Sequence, residues 1–205
     1  MADLAPSVVV FDLGGVLIDW DPRYLYRKLI ADPDEMERFL DEICTPAWNL
    51  EQDRGRSLDE ATALLTNAYP EHAELIEAYY GRWTEMIGGV FSDSVEVLED
   101  LTREGVPVHA LSNWSAETFA RVEPAYPFLG WFEHRVISGE IGLIKPDAEI
   151  YAHLEALTGL PPAAHCFVDD KEENIAAALA RGWHGVVFRD PQWLRFDLRA
   201  QGLPV

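Results

Sequence analysis

The sequence predicts an α/β fold in which a parallel sheet is flanked by helices and interrupted by one helical insertion. Short β-branched runs recur along the chain, each ends at polar residues, and segments with helical periodicity lie between them. This alternation is typical of parallel sheets, because parallel strands need a crossover connection. With 205 residues the chain is long enough for one core domain with a modest insertion.

Five apolar runs are the predicted strands. In chain order they are SVVVFD, VPVHALSN, HRVISG, AHCFVDD and HGVVF. Their β-branched and aromatic residues suit a pleated, buried surface, and the polar residues behind them mark the strand ends.

The helices between these strands are predicted from caps and glycines. Asp93 and Glu96 have the spacing of a capping box at the start of VEVLEDLTREG, which is expected to end at Gly105. The alanine-rich segment EENIAAALARG is expected to place Leu179 on its apolar face and to end at Gly182.

Residues 21–88 differ from the rest, because they contain several aromatic residues and no convincing strand. Ser57 opens another capping box, and Pro70 is expected to end the helix that follows. The predicted division is therefore a core formed by residues 1–20 and 89–205, with residues 21–88 as a helical insertion.

The charge composition argues against two classes of partner. The chain has 16 basic and 36 acidic residues, a formal net charge of −20, and no run of Lys or Arg. We therefore expect neither nucleic acid nor an anionic membrane as a partner. The sequence does not indicate the oligomeric state.

Features of the termini and cysteines predict a cytoplasmic protein. The N-terminal apolar run is interrupted by Asp12 before it reaches the length of a signal peptide or membrane span. Cys44 and Cys166 are far apart in sequence and are expected to be reduced, buried thiols.

Polar residues at the predicted strand ends include groups that suit a phosphate and a metal ion. They are Asp12 after the first strand, Ser112 and Asn113 after the second, Lys145 in the loop after the third, and Asp169 and Asp170 after the fourth. In parallel sheets, ligands bind beyond the carboxyl ends of the strands, so we expect these residues to form one site.

Each group has a chemical role available. A carboxylate is ionised at neutral pH, so Asp12 can attack a phosphorus atom and form an acyl phosphate. Asp169 and Asp170, with Asp12, offer the hard oxygen ligands that Mg²⁺ prefers. Ser112 and Lys145 can hold the phosphate, Lys145 as a compact positive charge that also neutralises the nucleophile.

Taken one at a time, the same residues have simpler explanations. Asp12 can be a turn residue, Ser112 can begin a helix, and Lys145 can be a solvated surface lysine. Asp169 and Asp170 can cap a helix and interact favourably with its dipole. Their joint occurrence at successive strand ends favours one site.

Four segments, FDLGGVL, ALSNW, IKPDAEIY and CFVDDKEEN, resemble the motifs of the haloacid dehalogenase superfamily of hydrolases in order and spacing. The resemblance covers nearly the whole chain. It implies a Rossmann-like sheet, and it implies that residues 21–88 form a helical cap of the small (C1) type.

The resemblance also implies roles for individual residues. Asp12 would be the nucleophile. The phosphate would be held by Ser112, Asn113 and Lys145, and Mg²⁺ by Asp12, Asp169, Asp170 and the backbone carbonyl of Gly14, with Asp170 as the main acidic ligand.

One position departs from the family pattern. Most phosphatases of this family carry an aspartate two residues after the nucleophile as general acid, and this chain has Gly14 there. The segments DLGGVLIDWD, RGRSLDEAT and LSNW are most similar to a bacterial sugar-1-phosphate phosphatase branch, which shares this glycine and acts on glucose-1-phosphate. Asp19 and Asp21 are candidates for moving the proton, with capping of the next helix as the alternative.

The predicted function is an Mg²⁺-dependent phosphatase of a small phosphorylated metabolite, such as a sugar phosphate. One alternative is a 2-haloacid dehalogenase that uses Asp12 without a metal, although the acidic pair argues against it. Another is a phosphate-binding protein that has lost catalysis through Gly14. The residues that select the substrate are not identified: Trp20, Trp48, Arg54 and Arg56 either line the entrance or pack inside the insertion.

Overall fold

The computed structural model describes residues 5–205, in which seven strands and eleven helices alternate along most of the chain. The strands are β1 (Val8–Phe11), β2 (Ile18–Trp20), β3 (Ile87–Val90), β4 (Val108–Ser112), β5 (His134–Ile137), β6 (His165–Asp169) and β7 (His184–Val187). The helices are α1 (Arg23–Tyr26), α2 (Pro33–Glu42), α3 (Pro46–Asp53), α4 (Leu58–Ala68), α5 (Ala73–Gly81), α6 (Ser92–Arg103), α7 (Ala116–Val122), α8 (Ser138–Ile141), α9 (Ala148–Thr158), α10 (Glu172–Ala180) and α11 (Pro191–Ala200).

Five strands form one parallel sheet in the order β5-β4-β1-β6-β7. These are the five strands that the sequence predicts, so the α/β, Rossmann-like prediction is confirmed. The strand β1 lies at the centre, where Val9 pairs with Val108 of β4 and with Cys166 of β6. All four residues of β1 are buried, because helices cover both faces of the sheet.

The helix caps agree with the sequence in part. The Ser57 side chain accepts a hydrogen bond from the Glu60 N–H and caps α4, as predicted. The helix α6 begins at Ser92, one residue before the predicted cap Asp93, and its N-terminus has no side-chain cap. Leu179 on α10 is 53% exposed, so its predicted place on the buried face is wrong.

Helices α1 to α5 lie between the two strands of a small antiparallel ribbon, in which Ile18 of β2 pairs with Val90 of β3. The sequence does not predict this ribbon, because β2 has three residues and β3 contains two glycines, which weaken a strand signal. We call residues 21–86 the insertion. The division between core and cap at residues 20 and 89 stays a prediction, and β3 crosses the second of these boundaries.

Aromatic residues hold the insertion together. Tyr79 packs edge-on against both Tyr80 and Trp48, with ring centroids 4.9 Å and 5.1 Å away, and Tyr26 packs against Phe39 at 5.0 Å. Such pairs add about 0.5–1.5 kcal/mol each beyond the area they bury. The aromatic content that marks this segment in the sequence is therefore largely a core.

Both cysteines are buried and unpaired, as the sequence predicts. Within residues 5–205, no helix combines the length and the apolar character that a membrane span requires.

Candidate functional site

Three of the predicted site residues lie at the carboxyl ends of adjacent strands. Asp12 follows β1, Ser112 ends β4 and Asp169 ends β6, and β1 lies between the other two strands. The sheet order therefore brings residues that are about a hundred positions apart in sequence into contact: the Ser112 hydroxyl donates a hydrogen bond of 2.7 Å to Asp12 Oδ1.

The Asp12 carboxylate is held in one orientation by three donors. Its Oδ1 accepts from the Leu13 N–H and the Ser112 hydroxyl, both at 2.7 Å, and its Oδ2 lies 2.9 Å from Lys145 Nζ. Burial raises the pKa of Asp12 to about 6, although Lys145 acts in the opposite direction. At neutral pH Asp12 is therefore ionised and available as a nucleophile.

Lys145 is 2% exposed and bridges two carboxylates. Its Nζ lies 2.9 Å from Asp12 Oδ2 and 2.7 Å from Asp169 Oδ2. Burial alone would lower the pKa of Lys145, but the two carboxylates outweigh it and the pKa lies above its usual value. The side chain is thus a permanent positive charge inside the site, and the alternative of a solvated surface lysine is wrong.

The Asn113 side chain holds the Lys145 loop in place. Asn113 Nδ2 donates to the Lys145 carbonyl at 2.9 Å, and the Lys145 N–H donates to Asn113 Oδ1 at 2.8 Å. Both ends of the amide are thus engaged with the main chain of Lys145. A contact between Asn113 and a phosphate, as predicted, would therefore come from its main-chain N–H.

Asn174 belongs to the site and is missing from the sequence prediction. Its Nδ2 donates to both oxygens of Asp169 at 3.0 Å, and Asp169 Oδ1 also accepts from the Lys171 N–H at 2.8 Å. Asn174 is 2% exposed among the alanines of α10. The sequence signal that could have identified Asn174 is its position as the one asparagine of this alanine-rich helix, at the end of the motif VDDKEEN.

Asp12, Asp169 and Asp170 form an acidic cluster whose carboxylate oxygens lie within 4.8 Å of one another. Asp170 is the exposed member, and partial burial still raises its pKa. Hard carboxylate oxygens at this spacing fit Mg²⁺. Asp169 is fully buried and does not line the cavity, whereas Asp12 and Asp170 do, so Asp12 and Asp170 are the more accessible ligands.

The two glycines after Asp12 have different surroundings. Gly15 has a φ of +79°, and a Cβ there would lie 2.9 Å from Asp170 Oδ2, so glycine is required for this close approach. A Cβ at Gly14 would meet no heavy atom within 4 Å. Gly14 lines the cavity next to the acidic cluster. It has no side chain, so this position does not supply the carboxyl that the motif resemblance would lead one to expect there.

A cavity of about 340 Å³ lies between the carboxyl edge of the sheet and the insertion. Asp12, Ser112, Lys145 and Asp170 line it on the sheet side. Trp20 also lines it, as proposed from the sequence. The other three candidates for the entrance have structural partners: Trp48 packs on Tyr79, Arg54 pairs with Asp147, and Arg56 donates to Gln52.

Asp19 and Asp21 do not line this cavity. Asp19 Oδ2 accepts a hydrogen bond of 2.7 Å from the Tyr24 hydroxyl. Asp21 Oδ1 accepts from the Arg23 N–H at 2.9 Å, at the start of α1. Asp21 therefore contacts the first residue of α1, whose N-cap is Pro22, and neither carboxyl lines the cavity.

Asp53 is a buried carboxyl of the insertion that the sequence does not single out. It lines the cavity, is 8% exposed, and accepts a hydrogen bond of 3.1 Å from Asn49 Nδ2. Burial raises its pKa to about 7, and a hydrogen bond from the Ser115 backbone and the charge of Lys171 only partly oppose this. Both the protonated and the ionised form of Asp53 are consequently populated near neutral pH.

Asp53→Asn is expected to stabilise the protein at high pH. The pKa of Asp53 is higher in the folded than in the unfolded state, so the folded state binds more protons and the free energy of unfolding falls as pH rises from about 4 to about 7. The slope is up to about 1.4 kcal/mol per pH unit. Removing this carboxyl should reduce the pH dependence by the contribution of Asp53 and leave that of Asp12, as denaturant unfolding at pH 5, 6, 7 and 8 would show.

The exposed Asp59 on α4 offers a matched control, because Asp59→Asn removes the same charge from a chain of formal net charge −20. If both variants change stability equally at every pH, burial of Asp53 is not the cause.

The geometry of this site agrees with the comparison to protein families. A model of the haloacid dehalogenase-like hydrolases matches residues 6–182. The chain belongs to this family. It is therefore a hydrolase, and the family resemblance of its four motifs is confirmed.

One relative of this haloacid dehalogenase-like hydrolase is a phosphatase that matches it over almost its whole length. The sesquiterpene phosphatase astK of Aspergillus oryzae is 28% identical over 196 residues, which cover 94% of this chain and 95% of that protein.

Solved structures show the same fold. A haloacid dehalogenase family enzyme of Bacteroides thetaiotaomicron, in complex with magnesium and inorganic phosphate, has a TM-score of 0.67 at 23% identity and covers 90% of this chain and 94% of that one. An L-2-haloacid dehalogenase of Xanthobacter autotrophicus with chloropropionic acid covalently bound has a TM-score of 0.60 at 16% identity, over 98% of this chain and 85% of that one. The fold is thus common to phosphate-binding and dehalogenating members.

Proposed function

We propose that this hydrolase is an Mg²⁺-dependent phosphatase that forms an aspartyl-phosphate on Asp12. One observation carries the proposal: an ionised aspartate, a hydroxyl and a buried lysine converge at the bottom of a cavity, next to an acidic pair. A haloacid displacement needs no second and third carboxylate, so Asp169 and Asp170 favour the phosphatase over the dehalogenase alternative.

The residues of this chain supply most steps of the reaction. Asp12 attacks the phosphorus, and the bond between phosphorus and the ester oxygen breaks, so that the alcohol leaves and takes up one proton. Water then attacks the phosphorus of the acyl phosphate, which releases inorganic phosphate and restores Asp12. Ser112 and Lys145 hold the phosphate oxygens throughout and offset their charge.

Asp12 and Asp170 would hold Mg²⁺, with Asp169 beside them and the Gly14 carbonyl as a further oxygen ligand. The ion would offset the repulsion between the carboxylate and the phosphate dianion. The magnesium and phosphate complex of the Bacteroides relative supports magnesium as the ion.

The proton for the leaving alcohol needs a different donor from the family's usual aspartate, because Gly14 occupies that position. Two carboxyls of the insertion line the cavity, Asp41 and Asp53. They replace Asp19 and Asp21 as the candidates. Asp53 suits the task better, because its pKa of about 7 lies close to neutral pH.

The substrate is a small phosphorylated metabolite in this proposal, and the insertion is a small helical cap that selects it. The resemblance of the motifs to the sugar-1-phosphate phosphatase branch stays a prediction. The relative astK, by contrast, is a sesquiterpene phosphatase.

Phosphate release from a panel of monoesters tests the proposal. The panel contains p-nitrophenyl phosphate, glucose-1-phosphate, glucose-6-phosphate and simple alkyl phosphates, each with Mg²⁺ and with EDTA. We expect release that EDTA abolishes and excess Mg²⁺ restores. Absence of phosphate release from every ester in the panel would overturn the proposal. Metal-independent halide release from 2-haloacids would favour the dehalogenase alternative.

A further inference from the structure

The wall of the cavity that faces the catalytic edge is mainly apolar. The apolar residues that line it are Leu40, Leu50, Tyr79 and Trp83 of the insertion, Trp20 of the ribbon, and Trp114 of the loop after β4. An apolar wall above a phosphate site has a chemical consequence, because it desolvates whatever alcohol is esterified to that phosphate.

The three tryptophans form a continuous row across separate parts of the chain. Trp20 on β2 stacks on Trp83 with ring centroids 6.3 Å apart and an interplanar angle of 26°, and Trp83 contacts Trp114 at 5.5 Å. Trp83 and Trp114 are each 5% exposed, so the row is fixed by packing. The row is a rigid hydrophobic surface, and its member Trp114 is two residues after Ser112 in the sequence.

Two polar side chains on the insertion side of the cavity, Arg23 and Asn49, already have partners within the protein. Arg23 donates from Nε and a terminal nitrogen to the Glu37 carboxylate. Asn49 accepts from the Tyr80 hydroxyl at 2.9 Å and donates to Asp53. A sugar hydroxyl placed against these two side chains would give up its hydrogen bonds to water without gaining a free partner, which is unfavourable.

Charge in this wall also disfavours a second anionic group on the substrate. The guanidinium of Arg23 is neutralised by Glu37 and Asp21. Asp41, which also lines the cavity, is exposed and carries a negative charge. Among the described residues, the insertion side of the cavity therefore offers no unpaired cation to a nucleotide or sugar acid. Lys171, which also lines the cavity, lies on the sheet side close to Asp170.

We infer that the alcohol released by this enzyme is uncharged and mainly hydrocarbon, so that the substrate is an alkyl or alkenyl phosphate monoester rather than a sugar phosphate. The inference rests on the proposed phosphatase function. It goes further, because it assigns the leaving group from the walls of the cavity.

A homologous series of linear alkyl phosphates measures the effect directly. Burial of one methylene contributes about 0.8 kcal/mol, which corresponds to a gain of about fourfold in kcat/KM. From ethyl to butyl to hexyl phosphate we expect kcat/KM to rise by at least tenfold overall, and hexyl phosphate to exceed glucose-1-phosphate and glucose-6-phosphate. A flat or falling series, or a preference for either glucose phosphate, would overturn the inference.

Leu50→Asn tests the wall itself, and Leu64→Asn is its matched control. Leu50 lines the cavity from α3, whereas Leu64 on α4 is 54% exposed and lies outside it. The ratio of kcat/KM for hexyl over ethyl phosphate should fall at least fivefold in Leu50→Asn and remain within twofold of the wild type in Leu64→Asn. Equal ratios in all three proteins would contradict the proposed wall.

Binding separates this inference from the proposed function. The same alkyl phosphates can be titrated by calorimetry into Asp12→Asn protein with Mg²⁺ present. Affinity that rises with chain length, without turnover by the wild type, would refute the phosphatase and retain the ligand class. Turnover by the wild type without any dependence on chain length would retain the phosphatase and refute the hydrocarbon ligand class.

Discussion

Asp12→Asn is expected to reduce phosphate release by about 10⁴-fold or more, because an amide is not a nucleophile at phosphorus. The fold should survive the change. The asparagine Oδ1 can still accept from the Leu13 N–H and the Ser112 hydroxyl, and Lys145 keeps its ion pair with Asp169. Steady-state kinetics with p-nitrophenyl phosphate and a thermal unfolding curve of the same sample measure both effects.

Asp19→Asn is the control for this variant. Asp19 lies seven residues further along the chain, on β2, and its carboxylate accepts from the Tyr24 hydroxyl outside the cavity. We expect turnover within threefold of the wild type. Residual activity of a few per cent in Asp12→Asn would exclude Asp12 as the nucleophile, and loss of activity in Asp19→Asn would restore Asp19 as a proton donor.

Lys145→Met is expected to impair both stability and turnover. The substitution leaves Asp12 and Asp169 buried with no cation between them, and removing one partner of a buried ion pair costs about 3–5 kcal/mol. Turnover should fall by about 10²–10³-fold, as for the loss of one transition-state donor. Urea unfolding and kcat, measured on the fraction that remains folded, report the two effects.

Two further variants separate the structural from the catalytic contribution of Lys145. Lys28→Met removes a lysine whose side chain is 53% exposed and paired with Glu85, and it should change stability by less than about 1 kcal/mol. Adding Asp169→Asn to Lys145→Met should recover part of the stability without recovering turnover. If the double variant regains activity, Lys145 acts only by neutralising Asp169.

The sequence predicts that Asp12, Ser112 and Asp169 lie together, and the reason is the topology of a parallel sheet. Asp12, Ser112 and Asp169 each come at the end of an apolar run, and the carboxyl ends of parallel strands share one edge. The order of residues along the chain is then enough to predict which of them meet. The structure bears this out by joining Ser112 to Asp12 at 2.7 Å.

The sequence does not predict the contacts of three other residues at this site, Asn113, Asn174 and Asp53. Asn113 was predicted to hold phosphate, but its amide binds the main chain of Lys145. Asn174 and Asp53 were not predicted at all, since an asparagine in a helix and an aspartate at a helix end have ordinary local explanations. Their importance comes from burial, which depends on contacts with distant parts of the chain.

By itself, then, the sequence determined the five strands of the parallel sheet, the family, and which of the residues at the strand ends meet at the carboxyl edge of the sheet. Only the tertiary structure decided what covers that edge. The tryptophan row joins residues 20, 83 and 114, which no local pattern connects, and the neutral or charged state of Asp53 depends on the walls around it. The physical reason is that strand ends are ordered by hydrogen bonding along the sheet, whereas desolvation is a sum over neighbours that only packing brings together.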